Sequence, residues 1–309
     1  MLVVFIERVG GKSLSRVERF GLSAALTMPF DAALAIDLRA AIDHAKSCLQ
    51  RGCSSVTLFG TTGEGSSIGA LERQAVIKEF IAAGIEPSQI VVGIMANSHV
   101  DAAEQARFAL DAGCRGILLA PPSYFKNVSD DGLFDWHSAT FRAVGPDVRG
   151  VILYNLPSVT AVEISIDLVT RLREAFPNAI AGVKDSSGNW NYTEKMLARH
   201  NDLAILIGDE RSLAGGVRLG GQGAISGLAN LYPERLLRMI DEGRDDEEVV
   251  AAVNELVKYP VIPAVKAMVA HHRGEDGWRR TRGPLEALPE GDFKHLTTIF
   301  DRLFVAAAA

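Results

Sequence analysis

Three short segments of the sequence hold residue types that could carry carbonyl chemistry: "IAGVKDSSGN" (Ile180 to Asn189), "YNLPS" (Tyr154 to Ser158) and "GTTGEGSS" (Gly60 to Ser67). In the first, an apolar run of the kind that fills a buried strand is broken by Lys184 and then Asp185. An ammonium at the end of such a strand is partly desolvated, and desolvation lowers its pKa from about 10.4 toward neutrality. A neutral amine can add to a carbonyl and form a Schiff base, an electron sink that needs neither metal nor bound cofactor. The bland alternative is a strand-ending lysine paired with Asp185 in solvent.

Schiff-base chemistry also needs a proton shuttle, to dehydrate the carbinolamine and to handle a substrate hydroxyl. Tyr154 offers a phenol for that task; its plain alternative is a tyrosine hydrogen-bonded to a loop. "GTTGEGSS" offers successive hydroxyls and backbone N–H groups in a glycine-permitted turn, a nest for a carboxylate or phosphate. It lacks the Gly-Lys-Ser/Thr ending of a nucleotide-binding loop. Glu64 reads as a group that caps backbone amides or pairs internally.

These residues need a scaffold that brings them to one face. From Leu22 onward, short β-branched apolar runs alternate with amphipathic stretches of helical period, the signature of repeated βα units. The strand candidates are "LSAALTMPF" from Leu22, "SVTLFG" from Ser55, "IVVGIMA" from Ile90, "GILLAPP" from Gly116, "GVILYN" from Gly150, "AGVK" from Ala181, "AILIGD" from Ala204 and "GAISGLAN" from Gly223. Helix starts fall at Asp37 and Asp101, with stops at Gly52 and Gly113. Eight such units predict a (β/α)8 barrel, an α/β TIM barrel, whose site lies at the C-terminal strand ends, where Lys184, Tyr154 and "GTTGEGSS" all fall. No dinucleotide fingerprint follows the first strand. Further helices are expected at Pro233 to Glu242, Asp245 to Tyr259, Ile262 to His272 and Gly291 to Val305. The expected organisation is an N-terminal extension over 1–20, the catalytic barrel over 21–230 and a C-terminal helical extension of the same domain over 231–309, its "AAAA" end frayed.

Composition narrows the partners. The 309 residues carry a net charge of -6 with acids and bases interspersed, which gives no electrostatic footprint for nucleic acid or an anionic membrane. The basic cluster "WRRTR", Trp278 to Arg282, reads as a solvated loop. Cys48, Cys53 and Cys114 have neither zinc nor disulfide spacing, and the histidines form no H-x-x-x-H pair, so no metal, no disulfide and a reducing compartment are expected. "MLVVFI" is too short for a signal peptide, and the apolar stretch Tyr259 to Ala270 carries two prolines and Lys266, so a soluble, cytoplasmic protein without membrane contact is expected.

Taken in order, the three segments resemble the signature segments of the dihydrodipicolinate synthase / N-acetylneuraminate lyase family of Schiff-base aldolases. "GDE" with "LGGQGAISGLAN", and "YPVIPAVKAM", are similar to the family's later segments, so the likeness runs from about Leu22 to Phe304. It implies Lys184 as the imine-forming residue toward pyruvate or a related 2-keto acid, Tyr154 as the proton-transfer tyrosine, Thr61 as the threonine relayed to it and Thr62 as a contact to the keto-acid carboxylate. It places the Ile225 backbone carbonyl at the substrate and matches Tyr124 to a tyrosine that in some members enters a neighbouring subunit's site. It also implies a homotetramer built as a dimer of dimers, and no cofactor.

One departure bears on substrate. Where dihydrodipicolinate synthases proper place an arginine after "YN-x-P-S" to grip the carboxylate of aspartate semialdehyde, this chain has Val159, which cannot form that ion pair. The Thr-Thr of the second segment also departs from the Ser-Thr usual in sialic acid lyases. The expectation is aldol cleavage, condensation or dehydration of another pyruvate-derived 2-keto acid, such as a 2-keto-3-deoxy sugar acid, with an aldehyde as partner. Ser158, Thr160 and Ser186 could meet substrate hydroxyls, and an apolar 4-substituent opposite Val159 is equally compatible. Two rivals stand beside it: a phosphate-binding barrel isomerase that uses "LGGQGAISG" (Leu219 to Gly227) and Asp209 or Glu210 as base, and a non-catalytic keto-acid binder.

Overall fold

A computed structural model describes residues 19–304 of the chain. Eight parallel strands close into a barrel in sequence order: β1 (Gly21–Ala25), β2 (Ser55–Leu58), β3 (Ile90–Ile94), β4 (Gly116–Leu119), β5 (Val151–Asn155), β6 (Ile180–Asp185), β7 (Ala204–Ile207) and β8 (Gly223–Ser226). All eight coincide with the strands read from sequence. The runs are apolar almost throughout because a parallel sheet is covered on both faces: β2 to β5 are buried at every position.

Helices α1 (Leu38–Gln50), α2 (Ala70–Ala82), α3 (His99–Asp111), α4 (Asp130–Val144), the single turn α5 (Pro157–Thr160), α6 (Ile166–Ala175), α7 (Trp190–Arg199) and α8 (Leu213–Arg218) connect the strands. Asp37 caps α1 as expected, its carboxylate accepting from the Ala40 amide at 3.0 Å. The α3 cap is Ser98, not Asp101: the Ser98 hydroxyl accepts from the Asp101 amide, and the acid sits inside the first turn, where it complements the helix dipole.

Two apolar clusters result. A large one fills the space between strands and helices, and a smaller one, including Val91, Leu118, Ile152, Tyr154, Leu206 and Ile225, fills the barrel interior. Strand alternation therefore decides which side chains face the mouth. In the pairing of β5 with β6, Tyr154 lies directly beside Lys184, and Asn155 beside Asp185.

After β8 come α9 (Pro233–Glu242), α10 (Glu247–Leu256), α11 (Val261–Arg273) and α12 (Glu290–Phe304). Pro263 to Ala270 of α11 are buried without interruption, so the middle of this helix is enclosed on all sides and its one ammonium, Lys266, must find partners inside the protein.

Two expectations change here. "WRRTR" is not a solvated loop: Trp278 is buried, Arg280 donates to the Phe30 carbonyl, and Arg282 donates to the Leu34 and Ser67 carbonyls and to Glu72. The cluster fastens the C-terminal region to the loops after β1 and β2. The first part of the Gly-rich segment also lies away from the face expected for a phosphate. Leu219 to Gln222 precede β8, at the barrel end opposite Lys184, and the amides of Gly220 and Gly221 donate to Val217 and Gly216 within the turn. The expected extension over 1–20 falls almost wholly, and the "AAAA" end wholly, outside the described residues.

Candidate active site

Lys184, the fifth residue of β6, is 6% exposed, and Tyr154, the fourth of β5, is 3% exposed. Adjacent positions on paired strands bring their tips together: Lys184 Nζ donates to Tyr154 Oη at 3.4 Å and stands 4.5 Å from the phenol ring centroid. Thr61, in the loop after β2, completes the row with its hydroxyl 3.3 Å from Tyr154 Oη. Amine, phenol and alcohol thus form one continuous chain of groups that can pass a proton. The alternative pairing of Lys184 with Asp185 does not occur. Alternation turns Asp185 away from the mouth, where its carboxylate accepts from Asn155 Nδ2 and the Ser187 amide, both at 3.0 Å, and from the Thr193 hydroxyl at 2.6 Å.

The loop that carries Thr61 and Thr62 is held from behind. The Gly63 and Gly65 amides donate to the Gly60 carbonyl and the Glu64 amide to that of Thr61, so most of the expected nest is used inside the turn, leaving the Thr61–Thr62 end to face the cavity. Gly65 is required by close approach, since a Cβ there would lie 1.8 Å from the Phe59 carbonyl oxygen. Glu64 adopts a left-handed φ of 53°, and its buried carboxylate pairs with Lys266 of α11 and accepts from the Arg282 amide at 2.9 Å. Lys266 also donates to the Met28 carbonyl at 2.8 Å. Glu64 therefore pairs internally, as one of the two expected uses had it.

Lys184, Tyr154, Thr61, Thr62, Ile225, Val159 and Ser186 all line one cavity of about 370 Å³ at the C-terminal ends of the strands. Tyr124 does not. It is 75% exposed on the loop after β4, its ring edge-on to Phe125 at 5.3 Å. Several lining residues were missed in the sequence. Val253, Leu256 and Val257 come from α10 and the segment after it, Val261 and Val265 from α11, and Arg211 from the turn after β7. The helix residues lie up to about two hundred positions from the strand-end residues they meet, and only helical period and, for Val261 and Val265, the segment "YPVIPAVKAM" marked them. Glu210 was legible as a strand-end acid within "GDE", though a role was given to it only in the phosphate-binding rival. Its carboxylate accepts from the Ser226 hydroxyl at 2.5 Å, and burial holds its pKa above the usual carboxylate range against the lowering effect of that bond.

Fold and site define a (β/α)8-barrel enzyme with an amine, a phenol and an alcohol gathered at the C-terminal ends of its strands. More narrowly, the chain belongs to the dihydrodipicolinate synthetase family, whose family model matches residues 18–273, and it is a Schiff-base lyase of that family's class I type. It is 58% identical to a dihydrodipicolinate synthase from Agrobacterium tumefaciens C58, whose crystal structure superposes with a TM-score of 0.91 over 93% of this chain and 100% of that one. It is 31% identical over 229 residues to a 4-hydroxy-tetrahydrodipicolinate synthase from Chloroherpeton thalassium, covering 74% of each. At 22% identity, a prophage protein of the dihydrodipicolinic acid synthase family from E. coli K12, crystallised with pyruvate, shares the fold with a TM-score of 0.82 over 92% of this chain and 98% of its own.

Proposed function

We propose that this enzyme forms an imine between Lys184 and a 2-keto acid, pyruvate or a compound derived from it, and makes or breaks the bond between C3 and C4, or eliminates water across it. The observation that carries this reading is the row Lys184, Tyr154, Thr61, with spacings of 3.4 and 3.3 Å. In the cleavage direction the Lys184 amine adds to C2, and water leaves with a proton moved through Tyr154. Tyr154, relayed by Thr61, then accepts the proton of the C4 hydroxyl. The C3–C4 electron pair moves into the protonated imine, the C4 carbonyl compound departs, and an enamine remains. Protonation at C3 and hydrolysis release pyruvate. In the dehydration branch a C3 proton and the C4 hydroxyl leave together as water. Thr62 and the Ile225 carbonyl serve to hold the keto acid, and Ser158 and Ser186, which line the cavity, serve the hydroxyls of a 2-keto-3-deoxy sugar acid. The pyruvate complex of the E. coli relative supports the keto-acid part.

The names of the relatives favour a second reading, condensation of pyruvate with aspartate semialdehyde. Val159, on the cavity wall and 62% exposed, argues against it, because the carboxylate of that aldehyde finds no arginine there. For the assembly we propose a homotetramer, with the exposed Tyr124–Phe125 tip as one element covered by a neighbouring subunit. A cytoplasmic setting accords with three buried free cysteines and with the absence, among the described residues, of a helix long and apolar enough to cross a membrane.

Exchange of the pyruvate methyl protons in D2O, followed by 1H NMR, tests the reading without an aldehyde, because an enamine returns deuterium to C3. Enzyme-dependent loss of the methyl signal is expected, slowed about 10²- to 10⁴-fold in Tyr154→Phe. No exchange with pyruvate or with any longer 2-keto acid would overturn it.

A further inference from the structure

The active-site cavity has two unlike walls. Ser186, Ser187, Asp209 and Glu210, at the ends of β6 and β7, make a polar one; Leu228, Val253, Leu256, Val257, Val261 and Val265 make a hydrocarbon one, joined to it where Arg211 meets Asn254 of α10. Val257 and Val261 are about half exposed, and with Val159 they continue the hydrocarbon surface to the mouth.

The charge inventory of this lining is short. Its cations are Lys184 and Arg211. Lys184 is committed to the imine, where the keto-acid carboxylate balances it. The Arg211 guanidinium is already taken up. Nε lies 2.9 and 3.2 Å from the two Asp209 carboxylate oxygens, Nη2 donates to Asp209 at 2.6 Å, and Nη1 donates to Asn254 Oδ1 at 3.1 Å. A further anion entering the cavity would meet no unengaged cation and would lie beside Asp209 and Glu210. It would exchange its hydration for a wall of valines or for like charge, both unfavourable. A hydroxyl, by contrast, finds donors and acceptors in Ser186, Ser187 and Glu210.

We propose that the carbonyl compound this site joins to, or releases from, the keto acid is an uncharged aldehyde, seated with its carbon skeleton on the α10–α11 valine wall and any hydroxyls toward the β6–β7 strand ends, and that aldehydes with a distal carboxylate or phosphate are rejected. The inference rests on the keto-acid reading above and adds the class of the second substrate. Asp209 acts here as a specificity-determining residue: by neutralising Arg211 it denies anionic aldehydes their one available anchor.

The test uses the wild-type enzyme, pyruvate and aldehyde pairs that differ by one distal anionic group: butanal against 4-oxobutanoate, benzaldehyde against 4-carboxybenzaldehyde, and glyceraldehyde against its 3-phosphate. Aldol product is quantified by mass spectrometry. For each pair that reacts, kcat/KM is expected to favour the neutral member by at least about 100-fold, the ratio set by leaving one charge without a partner. In Asp209→Asn, where Arg211 is released, that ratio is expected to narrow about tenfold. Equal or better use of the anionic members, an unchanged ratio in Asp209→Asn, or product from no pair would each overturn the inference. Methyl-proton exchange in the same samples separates the two readings: its absence sinks the keto-acid reading, whereas exchange accompanied by any of those outcomes sinks only the claim about the aldehyde.

Discussion

Lys184 and Lys266 are both buried, and the chain surrounds them differently. Lys266 is fully enclosed, ion-paired with Glu64 and hydrogen-bonded to the Met28 carbonyl, with the Phe30 ring 4.3 Å away. Burial pulls its pKa down, and Glu64 opposes that shift and holds the charge in place. Lys184 makes no ion pair among the described residues; it meets a phenol hydroxyl and a ring face, at the wall of a cavity. The lesson is in the partner. A carboxylate fixes an ammonium as a structural tie, whereas a phenol and open space leave an amine able to reach a carbonyl carbon and to exchange protons. The two regions are linked, because Glu64 belongs to the same loop as Thr61: the tie at Lys266 holds the backbone that presents a hydroxyl to Tyr154.

Breaking the tie is expected to give the larger effect on stability. Lys266→Met leaves Glu64 buried without its counter-ion, a change that costs about 3–5 kcal/mol. Urea denaturation of Lys266→Met should show a lowered midpoint, and the double variant Lys266→Met/Glu64→Gln should recover most of the loss, since no buried charge is then left alone. A double variant as unstable as the single one would mean that the ammonium, not the unpaired carboxylate, carries the effect.

The comparison sharpens with buried bases that lack a carboxylate. His44 donates to Asn230 Oδ1 at 3.0 Å, His137 donates through Nδ1 to the Leu133 carbonyl at 2.7 Å, and His137 Nε2 has no partner among the described residues. Burial lowers both imidazoles from 6.5 to about 4. Because the folded-state pKa is the lower one, the unfolded chain binds the extra protons. This stability contribution is complete above pH 6.5 and is lost as pH falls toward 4. Each histidine should account for about 2 kcal/mol of the fall between pH 7.5 and pH 5. His137→Phe should flatten the urea-midpoint profile over that interval by about that amount; an unaltered slope would show that His137 takes up its proton in the folded state.

Strand ends and partner choice explain what the sequence could and could not disclose. The eight strands were legible because two-sided burial makes each an apolar run, and Lys184, Tyr154 and Thr61 were legible because each stands at the C-terminal end of one. Alternation then separates Lys184 from Asp185, which neighbouring letters cannot show. Pairings between remote positions were not legible. Lys266 meets Glu64 across 202 residues, Arg282 meets Glu72 across 210, and the valine wall of α10 and α11 arrives only when the C-terminal helices fold back over the mouth. The basic cluster at Trp278 to Arg282 misled for the same reason: its partners are loop carbonyls and an acid brought from the far side of the chain. Tyr124 stands apart, since its ring is exposed and set edge-on to Phe125, away from the cavity.

The central claim, that Lys184 is the imine-forming amine, is tested most directly by intact-mass measurement after sodium borohydride reduction in the presence of pyruvate, followed by peptide mapping. One pyruvyl adduct per chain is expected, confined to the peptide containing Lys184 and abolished in Lys184→Met, while Lys266→Met retains it. An adduct on another lysine, or none with pyruvate or any longer 2-keto acid, would contradict the claim.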